Sequence, residues 1–237
     1  MALYLEESSL FRPIATGDIF RRVRVPGSTD AEAEFDLSMI LAHPSAMRKG
    51  ATLEDRVRAA PVAPVDNLSK TKWAKGHYNV FPLPKLAVIA EGNGFDIEAR
   101  GWAVLLELAA PVETAGLDLN ARVACLAPEG IHLLLQRLVH ADTRFPVRED
   151  LLATVFSPKL DELDLLETWN EELVAPLIDA GGDLGSELDK AAQEFDDLLS
   201  AARTDGSTLR SMLEQADRAS EARRLIHAEI RQRRQTS

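Results

Sequence analysis

The feature that most constrains this 237-residue chain is a change of hydrophobic period near Leu126. Before it, apolar residues come in short runs punctuated by Gly and Pro; after Pro128 they recur every third or fourth residue. Phe35, Leu37, Met39 and Leu41 alternate with Asp36, Ser38, Ile40 and Ala42, a period of two that predicts a strand with one strongly apolar face. Ile131, Leu134, Leu135, Leu138 and Val139 fall at i, i+3, i+4, i+7 and i+8, which is one face of a helix with Pro128 in its first turn. Two periods segregated along the chain, not alternating, predict an α+β fold.

Ile19 to Val25, Phe35 to Ala42 and Arg56 to Val62 read as strands, followed by His77 to Phe81, Leu86 to Glu91, Phe95 to Leu108 and Ala121 to Leu126. Strands so short and so spaced fit a small barrel better than βαβ units. Gly92-Asn93-Gly94 reads as a hairpin turn, and Leu68 to Ala74 as a short helix capped by Asp66-Asn67. Helices are expected over roughly 147–156, 158–180, 184–202 and 207–234, with breaks at Gly181-Gly182 and Asp205-Gly206 and caps at Ser186 and Ser207. The expected organisation is a barrel over 1–126, helices packed on it over 127–182, and a helical hairpin over 183–237. That hairpin is thinly apolar, with Leu198 and Leu199 opposite Leu209, Met212 and Leu213. So narrow a stripe is expected to dock on a protein partner or a second copy, which makes Leu198, Leu209, Met212 and Leu213 the partner-binding residues.

Charge is unevenly placed within the net −11. Asp161 to Asp197 holds 13 acidic residues against Lys190 alone, while Arg218 to Ser237 holds six arginines against Glu221 and Glu229. The acidic run either imitates a phosphate backbone or is the solvated face of a helix, and the basic tail either meets nucleic acid or pairs with that run. The single cysteine, Cys125, excludes an intramolecular disulfide and fits a reducing cytoplasm. No apolar run reaches the roughly 18 residues of a membrane span, and Met1 to Glu7 do not read as a secretory leader. No Walker loop, Rossmann glycine pattern, nucleophile elbow or Cys-x-x-Cys pair occurs, so no cofactor is expected. His132, Gln136 and His140 lie on what reads as the polar side of their helix and lack the carboxylate of a zinc motif, so no metal site is expected.

Gly17-Asp18-Ile19-Phe20, the apolar strand Phe35 to Ala42 and the Val- and Pro-rich Val57 to Val65 carry a resemblance. In this order they are similar to the opening half of the small SH3-like barrel of the PemK/MazF toxin superfamily. They also resemble a group of bacterial proteins without assigned activity, in which Gly-Asp-Ile precedes a Ser-His/Gln-x-Cys-Asp turn and a Val-Ala-Pro strand. Here that turn is Ala42-His43-Pro44-Ser45-Ala46, with Ser45 and Ala46 where the pattern has Cys and Asp. The resemblance covers the N-terminal half and implies an SH3-like barrel followed by unrelated helices. A toxin-type ribonuclease needs a base for the 2′-hydroxyl and a cation for the phosphorane charge. His43 and Arg48, with Ser45 between them, are the candidates.

A second cluster interleaves cations with aromatics: Lys70, Lys72, Trp73, Lys75, His77 and Tyr78. With Arg21, Arg22 and Arg24 it forms a candidate nucleic-acid surface, lysines for phosphates and Trp73 for stacking. Three functions follow in order: a non-catalytic interaction protein, a toxin-type endoribonuclease or other nuclease, and an acidic nucleic-acid mimic or inhibitor.

Overall fold

The short apolar runs pair into one antiparallel sheet and the later period yields helices, so the computed structural model is α+β. It describes residues 2–6, 9–26, 37–65, 79–143 and 149–236. The chain forms two compact units, one comprising Met1–Ser8, Ile14–Met47 and Glu54–Val155, the other Ser9–Pro13, Arg48–Leu53 and Phe156–Ser237. This division departs from the expected consecutive segments. Two short excursions of the N-terminal chain belong to the helical unit, because their contacts are made there.

In the sheet unit the strands are β1 (Ile19–Arg21) and β2 (Leu37–Ile40), then, past a separate hairpin of β3 (Arg48–Lys49) and β4 (Thr52–Leu53), β5 (Arg56–Pro64), β6 (Val80–Pro82), β7 (Trp102–Leu105), β8 (Ala110–Glu113) and β9 (Arg122–Ala124). Their order is β6-β7-β5-β2-β1-β9, with β8 also on β5. β5 is the spine. One edge pairs with β2, from Leu37↔Val62 to Ile40↔Ala59. The other pairs first with β8 and then with β7, which form one run offset by the 3-10 turn Leu106–Leu108. The first half of β5 alternates exposed Arg56 and Arg58 with buried Val57 and Ala59, and its second half is buried on both faces. That is why Ala59 to Ala63 carries no polar residue.

Among the described residues the sheet does not close into the expected barrel. Beyond β9 the free edge is taken by the N-terminal segment: Leu5 N–H donates to Cys125 O at 3.0 Å and Ala127 N–H to Leu3 O at 3.0 Å, on either side of a Tyr4↔Leu126 bridge. The expected strand Leu86 to Glu91 is instead a helix, α1 (Leu86–Gly92). Leu86 and Ala90, four apart, are buried while Val88 is exposed, so the burial period is helical although the stretch is continuously apolar and includes the β-branched Val88 and Ile89. Gly92-Asn93-Gly94 accordingly stops a helix and does not turn a hairpin, with Phe95 N–H donating to Ala90 O at 2.8 Å and Gly94 N–H to Glu91 O at 3.0 Å. No strand forms over 95–100. The expected helix Leu68 to Ala74 lies outside the described residues. α2 (Pro128–Thr143) forms as expected and buries Ile131, Leu134, Leu135 and Leu138. It also buries His132, contrary to the polar side expected for it.

α3 (Glu149–Leu173) runs through Pro158, where a break was expected, and passes from the first unit into the second. The helical unit continues with α4 (Ala175–Asp179), α5 (Leu184–Ser200), α6 (Leu209–Leu213) and α7 (Ala219–Thr236). The caps sit on residues other than those expected. Asp183 accepts Ser186 N–H at 2.9 Å to open α5, and Thr208 and Ser211 form a reciprocal capping box at α6. Ala191, Phe195 and Leu199 on α5 and Ala222, Ile226 and Ile230 on α7 recur every four residues, and all join one core with Leu165, Leu166 and Trp169 of α3. The narrow stripes thus find their partner within the chain. Trp169 and Phe195 meet edge to face, ring centres 5.5 Å apart.

Candidate functional site

Three places gather the residues that carry chemistry. The first is the Gly-Asp-Ile opening. Gly17 has φ 88, and a Cβ there would fall 2.8 Å from the Leu126 side chain, so only glycine lets the turn lie against Leu126. Asp18 Oδ2 accepts Ala15 N–H at 3.0 Å and the Arg122 guanidinium at 3.1 Å, and both charged side chains are sealed from solvent. Ile40 N–H donates to Asp18 O at 2.9 Å and Gly17 N–H to Ile40 O at 2.8 Å. The motif therefore latches β1 to β2 and β9.

The second is the turn after Ala42. Ala46 and Met47 N–H donate to His43 O at 2.8 and 3.0 Å. Ser45 N–H donates to His43 Nδ1 at 3.1 Å, and Ser45 Oγ stands 2.6 Å from the same nitrogen. A backbone N–H on Nδ1 makes that nitrogen the acceptor, which places the proton of the neutral ring on Nε2 and makes Ser45 a second donor. Burial lowers the His43 pKa below its ordinary 6.5 and favours this neutral ring. The result is a polarised serine hydroxyl beside a neutral imidazole. The N–H groups of Ser45, Ala46 and Met47 all turn back onto His43, so the turn aims none of them at a developing oxyanion. Arg48, expected beside His43, belongs to the other unit, and its Nη1 donates to Ala51 O at 2.5 Å across the β3–β4 hairpin.

The third lies in the helical unit. A groove of about 390 Å³ is lined by Trp169, Leu173, Val174 and Leu177 from the α3–α4 segment, by Glu187, Lys190, Ala191 and Glu194 of α5, and by Arg233 of α7. Its floor is apolar and its rim charged, the usual make-up of a binding cleft. Arg233 stacks on the buried Trp169 ring at 4.8 Å and pairs with Glu194 and Glu229, each at 2.8 Å. Leu177 is 44% exposed.

The acidic run and the basic tail pair with each other. Arg223 bonds Asp161, Arg234 bonds Glu172 at 2.6 Å, and Arg210 joins Glu162 at 2.9 Å to Asp196 at 2.7 Å. Burial works against the Arg210 charge, but Glu162 and Asp196 raise its pKa on balance. Arg12, from the Ser9–Pro13 excursion, reaches Asp164 at 2.9 Å and Glu167 at 2.6 Å. Burial raises the Glu167 pKa against the pull of Arg12. The Arg48–Leu53 excursion docks likewise: Gly50 has φ 66, and a Cβ there would fall 2.5 Å from an Asp196 carboxylate oxygen.

Of the residues expected to bind a partner, Leu209, Met212 and Leu213 are buried in the helical core, where their side chains hold the unit together, and Leu198 is packed partly buried against it. Of the expected nucleic-acid residues, Arg22 is exposed at the end of β1 with φ 61, while Lys70, Lys72, Trp73, Lys75 and Tyr78 lie outside the described residues. Among the described residues no His, Cys, Asp and Glu side chains gather in a group of three able to hold a metal, and no helix is long and apolar enough to cross a membrane. The groove residues were not expected from the sequence. The signal available for them was Lys190, the single cation of the acidic run, and Leu177, in the last large apolar pair (with Ile178) before Gly181-Gly182. No protein-family model and no curated protein matches this chain.

Proposed function

We propose that the protein is a non-catalytic interaction protein whose helical unit docks a partner chain at the α3–α4/α5 groove. One observation carries this reading. The apolar stripes of α5, α6 and α7 are occupied within the unit, yet Leu177 stays 44% exposed in a groove whose apolar lining it shares with Leu173 and Val174. A photo-crosslinking side chain at position 177 of the full chain is expected to form protein adducts in the cell, while the same probe at exposed Val88 of the sheet unit does not. Equal labelling at both positions, or none at 177, removes the reading. The acidic-mimic function finds no support in the helical unit, where arginines already neutralise much of the acidic run.

The sheet unit, on this reading, is an SH3-like barrel left open at one side, with Arg22, Lys70, Lys72, Trp73, Lys75 and Tyr78 as a modest nucleic-acid surface.

A second reading is favoured by the 2.6 Å approach of Ser45 Oγ to His43 Nδ1, which marks that nitrogen as a proton acceptor: a nuclease in which a substrate 2′-hydroxyl displaces Ser45 Oγ and gives its proton to Nδ1 of neutral His43. Cleavage of single-stranded RNA is then expected, abolished by His43→Ala. Because burial lowers the His43 pKa, the rate should hold below pH 6.5 before falling as the ring protonates. No cleavage under varied metal conditions sinks it.

A further inference from the structure

α5 presents to the groove two charged side chains, Glu187 and Lys190. Among the described residues neither carries an ion pair or side-chain hydrogen bond, to the other or to any neighbour. Glu194 on the same lining is, by contrast, taken by Arg233. Two opposite charges, both without partners, flank an apolar floor that is itself half open at Leu173 and Leu177.

The spacing selects the occupant. Glu187 and Lys190 are three residues apart on one helix, about 4.5 Å along its axis, and so share a face. A partner helix carrying one sign of charge satisfies one of them and opposes the other. A second copy of α5, antiparallel and related by a two-fold axis passing between the two positions, satisfies both: Glu187 of each chain meets Lys190 of its twin. One spacing then yields two ion pairs, because a two-fold interface repeats every contact in reverse. The same operation brings the Leu173 and Leu177 floor of one groove against that of the other, where burial supplies the non-directional part of the attraction.

We propose that the chain associates as a two-fold dimer through the α5 face, with reciprocal Glu187–Lys190 pairs around the Leu173/Leu177 floor. This rests on the reading of the groove as a docking surface and names its occupant. The test is sedimentation of the full chain across the micromolar range. The wild type is expected to reach the dimer mass. Lys190→Glu places only carboxylates across the axis and Glu187→Lys only ammonium groups, and each should weaken association at least about tenfold, since like charges face to face are strongly unfavourable. Exchanging both at once, Glu187→Lys with Lys190→Glu, restores complementarity and should restore the dimer. That recovery separates pairing from any general damage to the helix. A wild type that stays monomeric, a dimer indifferent to the single exchanges, or a double exchange that fails to recover overturns the proposal. Adducts from position 177 to a foreign protein, with a monomeric wild type, would overturn the second copy as occupant and leave the docking reading standing; no adducts at all would remove both.

Discussion

In the sheet unit the ion pair of Arg122 with Asp18 at 3.1 Å is closed off from solvent with side chains 1% and 2% exposed, whereas in the helical unit, the buried Arg12 apart, the arginine pairs are at least partly open, as in Arg234 to Glu172 with side chains 67% and 40% exposed. The energetics differ accordingly. A buried pair exists because the alternative, one charge left alone in a low dielectric, is several kcal/mol worse; it specifies which strands lie together more than it stabilises them. An exposed pair gains little individually, and its partners can exchange water for each other at almost no cost. In the sheet unit the Asp18–Arg122 pair therefore adds specificity to the backbone pairing of β1 with β9. The helical unit depends on its core, with Trp169 and Phe195 at the centre, and is trimmed by many replaceable charges.

This contrast can be broken at its strongest point first. Asp18→Ala leaves the Arg122 guanidinium buried without its partner and removes the acceptor of Ala15 N–H. A loss of about 3–5 kcal/mol is expected in denaturant unfolding of the full chain. Replacing both members with apolar residues, Asp18→Leu with Arg122→Met, should recover most of that loss; failure to recover would mean that the pair stabilises outright. Next comes Arg210, which joins Glu162 and Asp196 and also donates to Ser200 Oγ at 2.7 Å from a half-buried position. Arg210→Ala should cost about 1.5–3 kcal/mol, in the range of charge-assisted hydrogen bonds, read as faster amide exchange in α5 and α6 while β1 and β9 keep their protection. The smallest effect is expected at Arg234→Ala, about 0–1 kcal/mol, and 1 M salt should erase it because exposed charges are then screened within about 3 Å. If salt instead accelerates exchange in β1 and β9 as much as in α7, the distinction between the two units is wrong.

Much of this was legible beforehand, and the reasons are local. The helix from Pro128 and the span from Leu184 to Ser200 follow from the apolar period alone. The β5 segment is visible in its Val and Ala content and in its alternating first half. Where local reading failed, something distant had intervened. Leu86-Ala87-Val88-Ile89-Ala90 has strand-like composition, yet only Leu86 and Ala90 are buried, and that choice belongs to the surroundings. Ala110 to Glu113 has a proline and a glutamate and no strand signature, yet it pairs with β5 because β5 has an edge free there. Ser207 stands one residue before the true cap, Thr208, whose partner Ser211 completes the box. The candidate sites divide likewise. His43 and Ser45 interact as a local turn dictates, but Arg48, five residues on, folds with the other unit.

What the sequence determined by itself were the quantities set by near neighbours: the two periods and hence the α+β class, most helix spans, and the segregation of acid from base. Those depend on contacts three or four residues apart, which the order of residues states directly. Tertiary structure alone decided who meets whom. Asp18 finds Arg122 across 104 residues, the thin stripes of α5 and α7 find α3 instead of a foreign partner, and the basic tail finds the acidic run. Such meetings require chain closure, and closure is governed by the summed burial of the whole unit, to which no single segment holds the key. The unpaired Glu187 and Lys190 are the residue of that sum: they become conspicuous only once Glu194, on the same groove, has been assigned to Arg233.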